Sequence, residues 1–392
     1  MRSSAAISEH LDTRTAAIEV AGLLESAMDG PTDLVFVFAS FHHREALGEA
    51  VSDIRKTLSP KTIIGLTTES VVGCDLELEG VAGLSALAMH LPGVTITPWT
   101  TSPKRPVPIS KPEKIPDWIS LQDDTQVVLF FADPFSTPIT RLLPALVDCR
   151  GSDSPLPVIG GMASGASAAT FNRLILDDQG MRSGGIGLTI SGPLDFDCIV
   201  SQGCRPIGNP MRVTKVEGNV VLELGGRPAV EVIRDLASSV DPHEGDLLGG
   251  GLLMGSVINE NRDHFGRGDF LVRSILGIDR KRNGIAAGEF YRLGKTVQFH
   301  VRDAQTAVED LQLLLDAQQL ATQPFAGLLV TCNGRGRNLF HVEDHDLTII
   351  RDRLGEVPIA GFFAAGEIGP IGGRSFLHGH TACLTLFRSK NE

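Results

Sequence analysis

The chain is poor in the features that mark several protein classes. It has no apolar run long enough to cross a bilayer. Its first twenty residues, MRSSAAISEHLDTRTAAIEV, lack the uninterrupted apolar core of a secretory signal. Positive charge is short, with 35 Lys and Arg against 47 Asp and Glu and a net charge of −12. A nucleic-acid partner needs a concentrated positive face, so that class is excluded. The six cysteines, at 74, 149, 198, 204, 332 and 383, never fall in Cys-x-x-Cys spacing. A zinc ribbon and a thioredoxin-type motif are therefore absent. Thiols in a chain without a signal are expected to stay reduced, so the expected location is cytoplasmic, with no membrane partner. Aromatics make up only 5% of the chain and are mostly phenylalanine.

Nucleotide and nucleophile motifs come close and fail. GEFYRLGKT at 288–296 imitates a P-loop, but five residues separate Gly288 from Gly294. Lys295-Thr296 then leads into an alternating strand pattern rather than a helix. Gly161-Met162-Ala163-Ser164-Gly165 misses the G-x-S-x-G elbow by one place. No cofactor is expected.

What the chain does have is glycine, 43 residues of it, which calls for tight turns and close backbone approaches. The stretch 358–387, PIAGFFAAGEIGPIGGRSFLHGHTACLTLF, is a short apolar run, a glycine-dense loop with Glu367 and Arg374, and an alternating run beyond His378 and His380. It has two relatives upstream. LVFVFAS at 34–40, a helix over 42–58, TIIGLTT at 62–68 and VAGLSALAMHL at 81–91 make one unit. VVLFFADPF at 127–135, a helix over 137–149, PVIGGMASG at 157–165 and GGIGLTISG at 184–192 make a second. GLLVTCNGRG at 327–336, a helix over 343–354, IAGFFAAGEIG at 359–369 and HTACLTLF at 380–387 make the third. Phe38 with Gly65, Phe130 with Gly160 and Val330 with Gly361 mark equivalent points. Each unit has the length of a βαβ crossover.

The region 193–325 differs. Its alternating runs FDCIVSQGCRPIG and MRVTKVEGNVVLEL turn at Gly218-Asn219 as an antiparallel hairpin. Helices are expected over 1–30, 228–240 and 304–320, strands over 270–279 and 295–303, and a surface connection over the proline-rich 98–116. The fold class is α/β to α+β: repeated β-α-β-β units in mixed sheets covered by outer helices, in two lobes. A layered sandwich of two sheets is the expected arrangement, with the three glycine loops lining one cleft.

Candidate chemistry concentrates in the third unit. Cys332-Asn333-Gly334-Arg335-Gly336-Arg337 puts two guanidiniums on a loop whose glycines allow close approach, which suits a carboxylate or phosphate. Gly366-Glu367 could meet an amino group, with Arg374 and His378 beside it. Substituting Arg335 or Arg337 is then expected to weaken ligand binding and leave the stability of the free protein unchanged. His378 and His380 share strand parity, but no third metal ligand is evident, so no metal is expected. His341 and His345, among Glu343, Asp344 and Asp346, suit an acidic first helical turn better than a metal. Cys332 with His378 is the alternative, a thiol nucleophile of a hydrolase or transferase.

In order along the chain, IIGLTTESVVG (63–73), VIGGMASG (158–165), GCRPIGNPMRVTKVEGNVVLELGGRPAV (203–230), FLVRSILGID (270–279), VQFHVRDAQTAVEDL (297–311), CNGRG (332–336) and GFFAAGEIGPIGGRSFLHGHTA (361–382) resemble the FIST domain family. The resemblance covers nearly everything beyond residue 33. After an N-terminal helix over 1–32, read from its apolar stripe, it implies a FIST N-terminal domain over 33–226 and a FIST C-terminal domain over 227–392. It further implies a sensory module of prokaryotic signalling that binds small ligands such as amino acids. In eukaryotes the family is attached to F-box proteins, which makes a protein partner possible. This chain has no room for an F-box, kinase, cyclase or methyl-accepting module and looks like a stand-alone member.

Overall fold

The computed structural model describes residues 1–28 and 30–390, so Asp29, within the helix expected over 1–30, and the last two residues lie outside the described residues. The chain forms two compact units: 1–200 with 312–377 and 381–392, and 201–311 with 378–380.

The larger unit holds the three repeats, and each builds its sheet by the same rule. In repeat 1 the first strand Leu34–Ser40 pairs in parallel with the glycine strand Thr62–Thr68 and antiparallel with the closing strand Leu84–His90. A leading strand, Arg2–Ser8, lies outside the closing strand. Repeat 2 repeats this with Thr95–Thr101 leading, Thr125–Ala132 first, Val158–Met162 as glycine strand and Gly185–Ser191 closing. Repeat 3 uses Leu194–Gln202, Ala326–Cys332, Ile359–Ala364 and Thr381–Ser389 in the same roles.

After each glycine strand comes a short hairpin, and that hairpin leaves its own sheet. Hairpin 2 (Leu174–Leu176, Gln179–Met181) completes the sheet of repeat 1 beside Thr62–Thr68. Hairpin 3 (Glu367–Ile371, Arg374–His378) completes that of repeat 2 beside Val158–Met162. Hairpin 1 (Val71–Gly73, Leu76–Leu78) completes that of repeat 3 beside Ile359–Ala364. The exchange closes on itself, giving three six-stranded sheets of identical order among the described residues.

Strand alternation sorts the side chains. Phe36, Phe38, Leu129, Phe131, Leu328, Val330 and Phe362 point into one shared core. Phe38, Phe131 and Phe362, one from each repeat, meet there at centroid distances of 5.0 to 6.3 Å. The intervening Val35, Val37 and Ala39 face the helices Thr13–Ala27 and Leu47–Leu58. Val128, Phe130 and Ala132 face the helix Ile139–Val147 and the segment carrying Val107, Ile115 and Ile119. The two-sheet sandwich expected from the sequence is thus replaced by three sheets around one core. The reason is that the hairpins bind between repeats, which no repeat-by-repeat reading can show.

The glycine register is close to the expectation and off by one in two places. Gly65 lies opposite Val37, Gly160 opposite Phe130 and Gly361 opposite Leu329. A Cβ on Gly160 would sit 2.2 Å from the Phe130 carbonyl oxygen, and one on Gly361 1.8 Å from that of Leu329. At Gly65 the obstacle is instead Val51 on the covering helix, at 2.7 Å.

The smaller unit is a seven-stranded sheet whose described pairings are antiparallel. Its long strand Cys204–Glu217 turns at Gly218-Asn219 into Val220–Leu224, as the sequence suggests. The helices Ala229–Ser239 and Pro242–Gly249 precede its strand Leu252–Val257. Among the described residues, no helix is long and apolar enough to cross a membrane.

Gly361→Ala should lower stability by about 1–3 kcal/mol or more, because the strand pair cannot open locally. Gly22→Ala, on the helix Thr13–Ala27 with nothing within 4 Å of its Cβ position, should instead gain about 0.5–1 kcal/mol. Urea midpoints of the two variants would check this. Equal stability of Gly361→Ala and the parent would show that the close strand approach is wrong.

Candidate functional site

The three loops that follow the glycine strands do come together, but they bind one another. The Ser164 hydroxyl of repeat 2 donates to the Phe363 carbonyl of repeat 3 and accepts the Glu69 N–H of repeat 1 at 2.9 Å. Met162 N–H donates to Gly366 O at 2.8 Å, Ala365 N–H to Met162 O at 3.1 Å, Phe363 N–H to Ser70 O at 3.1 Å and Gly165 N–H to Thr67 O at 3.3 Å. These donors, expected to face a ligand, are spent on knitting the repeats together. The expected cleft lined by glycine loops is therefore filled by their own backbone bonds.

The loop Cys332 to Arg337 is equally committed. Arg335 is 0% exposed, and its fork holds Asp346 through Nε to Oδ2 at 2.9 Å and Nη2 to Oδ1 at 2.8 Å. Asp346, on the helix His345–Leu354, also accepts from Thr331 Oγ1 at 3.2 Å and lies 3.1 Å from His345 Nδ1. Phe340 lies under the guanidinium at 5.1 Å and stacks on His345. Gly336 has φ of 56°, and a Cβ there would strike the Glu79 carboxylate at 2.4 Å, so both backbone and space require glycine. That carboxylate accepts the Arg337 N–H at 2.9 and 3.1 Å, while Arg337 Nη2 donates to the Glu79 carbonyl at 2.5 Å and Nη1 reaches Glu343 at 3.2 Å. Glu77 accepts the Leu347 N–H at 2.8 Å, and its own N–H donates to Asp344 at 2.5 Å.

Glu77 and Glu79 flank the end of hairpin 1, so this charged cluster is where repeat 1 is fastened to repeat 3. Burial, reinforced by Asp346, pushes the Glu77 carboxyl up to about 8. Burial also opposes ionisation of Asp346, yet the Arg335 guanidinium and His345 hold it well below the usual carboxylate range. Among the described residues, Glu77 Oε2 and Arg335 Nη1 are buried without hydrogen-bond partners.

Arg374 forms a different fastening. Its Nη2 lies 2.7 Å from Asp148, just past the helix Ile139–Val147. The same link joins the other hairpins to the outer helices of the sheets they complete. Asp177 in hairpin 2 pairs with Arg55 at 2.6 Å, and Asp75 in hairpin 1 with Arg351 at 2.8 Å. Glu367 is fully buried and accepts from Thr381 N–H at 3.2 Å and Oγ1 at 2.7 Å, holding the start of the closing strand. Cys332, half-buried, accepts the Gly334 N–H at 3.4 Å and belongs to the larger unit, whereas His378, buried, belongs to the smaller. His380 adopts φ of 64°, with Nε2 3.3 Å from Ser274 Oγ. Burial, then Arg302 and Arg273, brings it down to about 4, so the imidazole is neutral at pH 7.

A cavity of about 1000 Å³ lies elsewhere, in repeat 2. Its walls are Trp99 on the leading strand, Leu176 to Gln179 of hairpin 2, and the proline-rich segment with Arg105, Lys114, Asp117 and Trp118. The chain's two tryptophans both face it. The Trp99 indole stacks on Phe130 at 5.6 Å and donates Nε1–H to Thr189 at 3.1 Å, while Gly187 leaves room for the ring. Residues 98–116 are more than the surface connection expected from their prolines, because Val107 and Ile115, with Ile119 just beyond, bury into the outer core. The available signal was two tryptophans bracketing a proline run with interspersed cations.

The FIST N domain matches residues 33–227 and the FIST C domain residues 229–370. The chain belongs to the FIST family, a class of small-ligand sensory domain. It is similar to the uncharacterized protein Rv0628c of Mycobacterium tuberculosis, 37% identical over 99% of this chain and 100% of that one. It is also similar to the uncharacterized protein Mb0898c of Mycobacterium bovis, 34% identical over 99% of each. A solved cyanuric acid hydrolase from A. caulinodans aligns with 100% of this chain and 99% of its own at a TM-score of 0.38 and 7% identity. The family division falls inside the smaller compact unit, because that unit is an insertion between the leading and first strands of repeat 3.

Two variants separate fold from ligand contact. Arg335→Ala should cost about 3–5 kcal/mol in the free protein, because it strands Asp346 in the interior. This differs from the unchanged stability expected for a ligand-contacting arginine. Glu77 favours the fold while protonated, fully so below the unfolded carboxylate pKa, and that favour is lost as pH rises through about 8. Glu77→Gln should therefore melt higher than the parent at pH 9 and flatten the melting profile between pH 6 and 9. A parent profile with no alkaline decline that Glu77→Gln removes would refute this account of the cluster.

Proposed function

We propose that this chain is a small-molecule sensor of signal transduction and that its ligand enters the cavity between Trp99, Trp118 and hairpin 2. The observation that carries this reading is the cavity itself. Its volume of about 1000 Å³ accommodates a small metabolite, and its walls combine aromatic surface with a few charged groups. Cations on the proline-rich segment suit the carboxylate expected from the sequence, moved from Arg335 and Arg337 to Arg105 and Lys114. The polar groups of the C-terminal stretch support this relocation, since Arg335, Arg374 and Glu367 are occupied by Asp346, Asp148 and Thr381.

A sensor of this kind binds without turnover. A metabolite panel is expected to include compounds that quench intrinsic tryptophan fluorescence saturably and raise the melting temperature in parallel. Ligand at about 100 times its dissociation constant adds about 2.7 kcal/mol of stability. Compounds that raise the melting temperature without touching the tryptophan signal would move the site elsewhere, and a silent panel would end the reading.

A further inference from the structure

We propose that the cavity selects planar aromatic carboxylates, gripped by Arg105 and Lys114 and stacked on the Arg105–Trp118 platform. This rests on the reading of the cavity as the ligand site and adds the chemical class.

The first support is charge bookkeeping within the walls. Asp177 and Asp178 lie 2.6 and 3.9 Å from Arg55, so their charge is shared with a cation of the neighbouring helix. Among the described residues, Arg105 and Lys114 on the proline-rich wall enter no ion pair, while Asp177 and Asp178 on the hairpin wall face Arg55. In a chain of net charge −12, two cations without ion-pair partners on one wall of a concave site favour an anion at that wall.

The second support is preorganisation. The Arg105 backbone is fixed by a two-way bridge with Ser102, each N–H to O distance being 3.0 Å. Two residues on, Val107 is buried and its N–H donates to Thr101 Oγ1 at 3.2 Å. From this anchored base the guanidinium lies 4.9 Å from the Trp118 ring centroid. A guanidinium held over an indole by its positive charge keeps N–H groups for a carboxylate, and the indole beside it offers a surface for a further planar ring. Little side-chain entropy is then left to lose on binding.

The test uses the full chain with three probes: 2-naphthoate, its neutral isostere 2-naphthamide, and acetate, which keeps the charge without the ring. Calorimetry and tryptophan quenching should show 2-naphthoate binding roughly tenfold or more tighter than 2-naphthamide, and no binding of acetate at the same concentrations. Arg105→Gln, an exposed change checked for folding by circular dichroism, should abolish the preference for acid over amide. Lys114→Gln should reduce it, and Arg374→Gln should leave it intact. Equal binding of acid and amide, or a full preference in Arg105→Gln, would overturn the class. If 2-naphthoate fails while a non-aromatic metabolite quenches the tryptophans, the class is wrong and the cavity remains the site. If neither the probes nor the panel changes fluorescence or melting, the cavity reading itself falls.

Discussion

A parallel strand at the edge of a sheet exposes a row of unsatisfied N–H and C=O groups, and that constraint organises the larger unit. Each glycine strand is such an edge, and none of the repeats covers its own. Hairpin 2 covers repeat 1, hairpin 3 covers repeat 2, and hairpin 1, near the start of the chain, covers repeat 3 near its end. Uncovered edges are sites of misassociation, so the exchange serves solubility as well as stability. It also makes the repeats interdependent. The pairing of Val71–Gly73 with Ile359–Ala364 bridges almost the whole sequence, a slow contact to form by loop-closure entropy. The inner core follows the same logic, because Phe38, Phe131 and Phe362 contribute one ring per repeat.

Three similar hairpins and three similar edges invite wrong pairings, and the ion pairs at the hairpin turns discriminate among them. Hairpins 1 and 2 carry Asp75 and Asp177, met by Arg351 and Arg55. Hairpin 3 reverses the sign, with Arg374 meeting Asp148. Exposed pairs of this kind add only about 0–1 kcal/mol. A like-charge encounter still penalises the wrong partner, since hairpin 3 on either other edge would set Arg374 against Arg55 or Arg351. The junction that closes the ring has the further buried grip of Arg335 on Asp346, beside Glu77 and Glu79. Burying these charges is expensive, and the compensation is geometric: a fork on a carboxylate admits one register.

The repeats were legible because glycine stands where two backbones touch. Gly160 and Gly361 oppose carbonyls that any Cβ would strike, so the repeated apolar-glycine pattern reports a real physical limit. The first leading strand was not legible. RSSAAIS at 2–8 has little β-branched or aromatic content and becomes a strand only through its seven pairings with Leu84–His90. The hairpins were missed for the same reason, being three to five residues per arm and defined by partners far away. The charged loop at 332–337 was noticed for the right residue types and assigned the wrong counterparts. A sequence shows an arginine near glycines, but whether its carboxylate belongs to a ligand or to Asp346 is settled only by the helix that places Asp346 beside it.

The connection between leading and first strand differs in kind among the three repeats. In repeat 1 it is the helix Thr13–Ala27, whose Ala16, Ala17, Val20, Ala21 and Leu24 fill the outer face of the sheet. In repeat 3 it carries the whole inserted unit of residues 201–311. In repeat 2 it is the proline-rich segment, which cannot form a long helix because Pro103, Pro106, Pro108, Pro112 and Pro116 remove donors and fix φ. This segment covers the sheet with Val107 and one short helical turn carrying Ile115 and Ile119, instead of a long continuous helical face. A helix there would fill the space with small side chains, as it does in repeat 1. The strap leaves a void against Trp99 and lines it with the ends of long polar side chains. The cavity thus arises from a failure of helical packing at one of three equivalent positions, and the exchange of hairpins keeps the surrounding sheets fixed while that position varies.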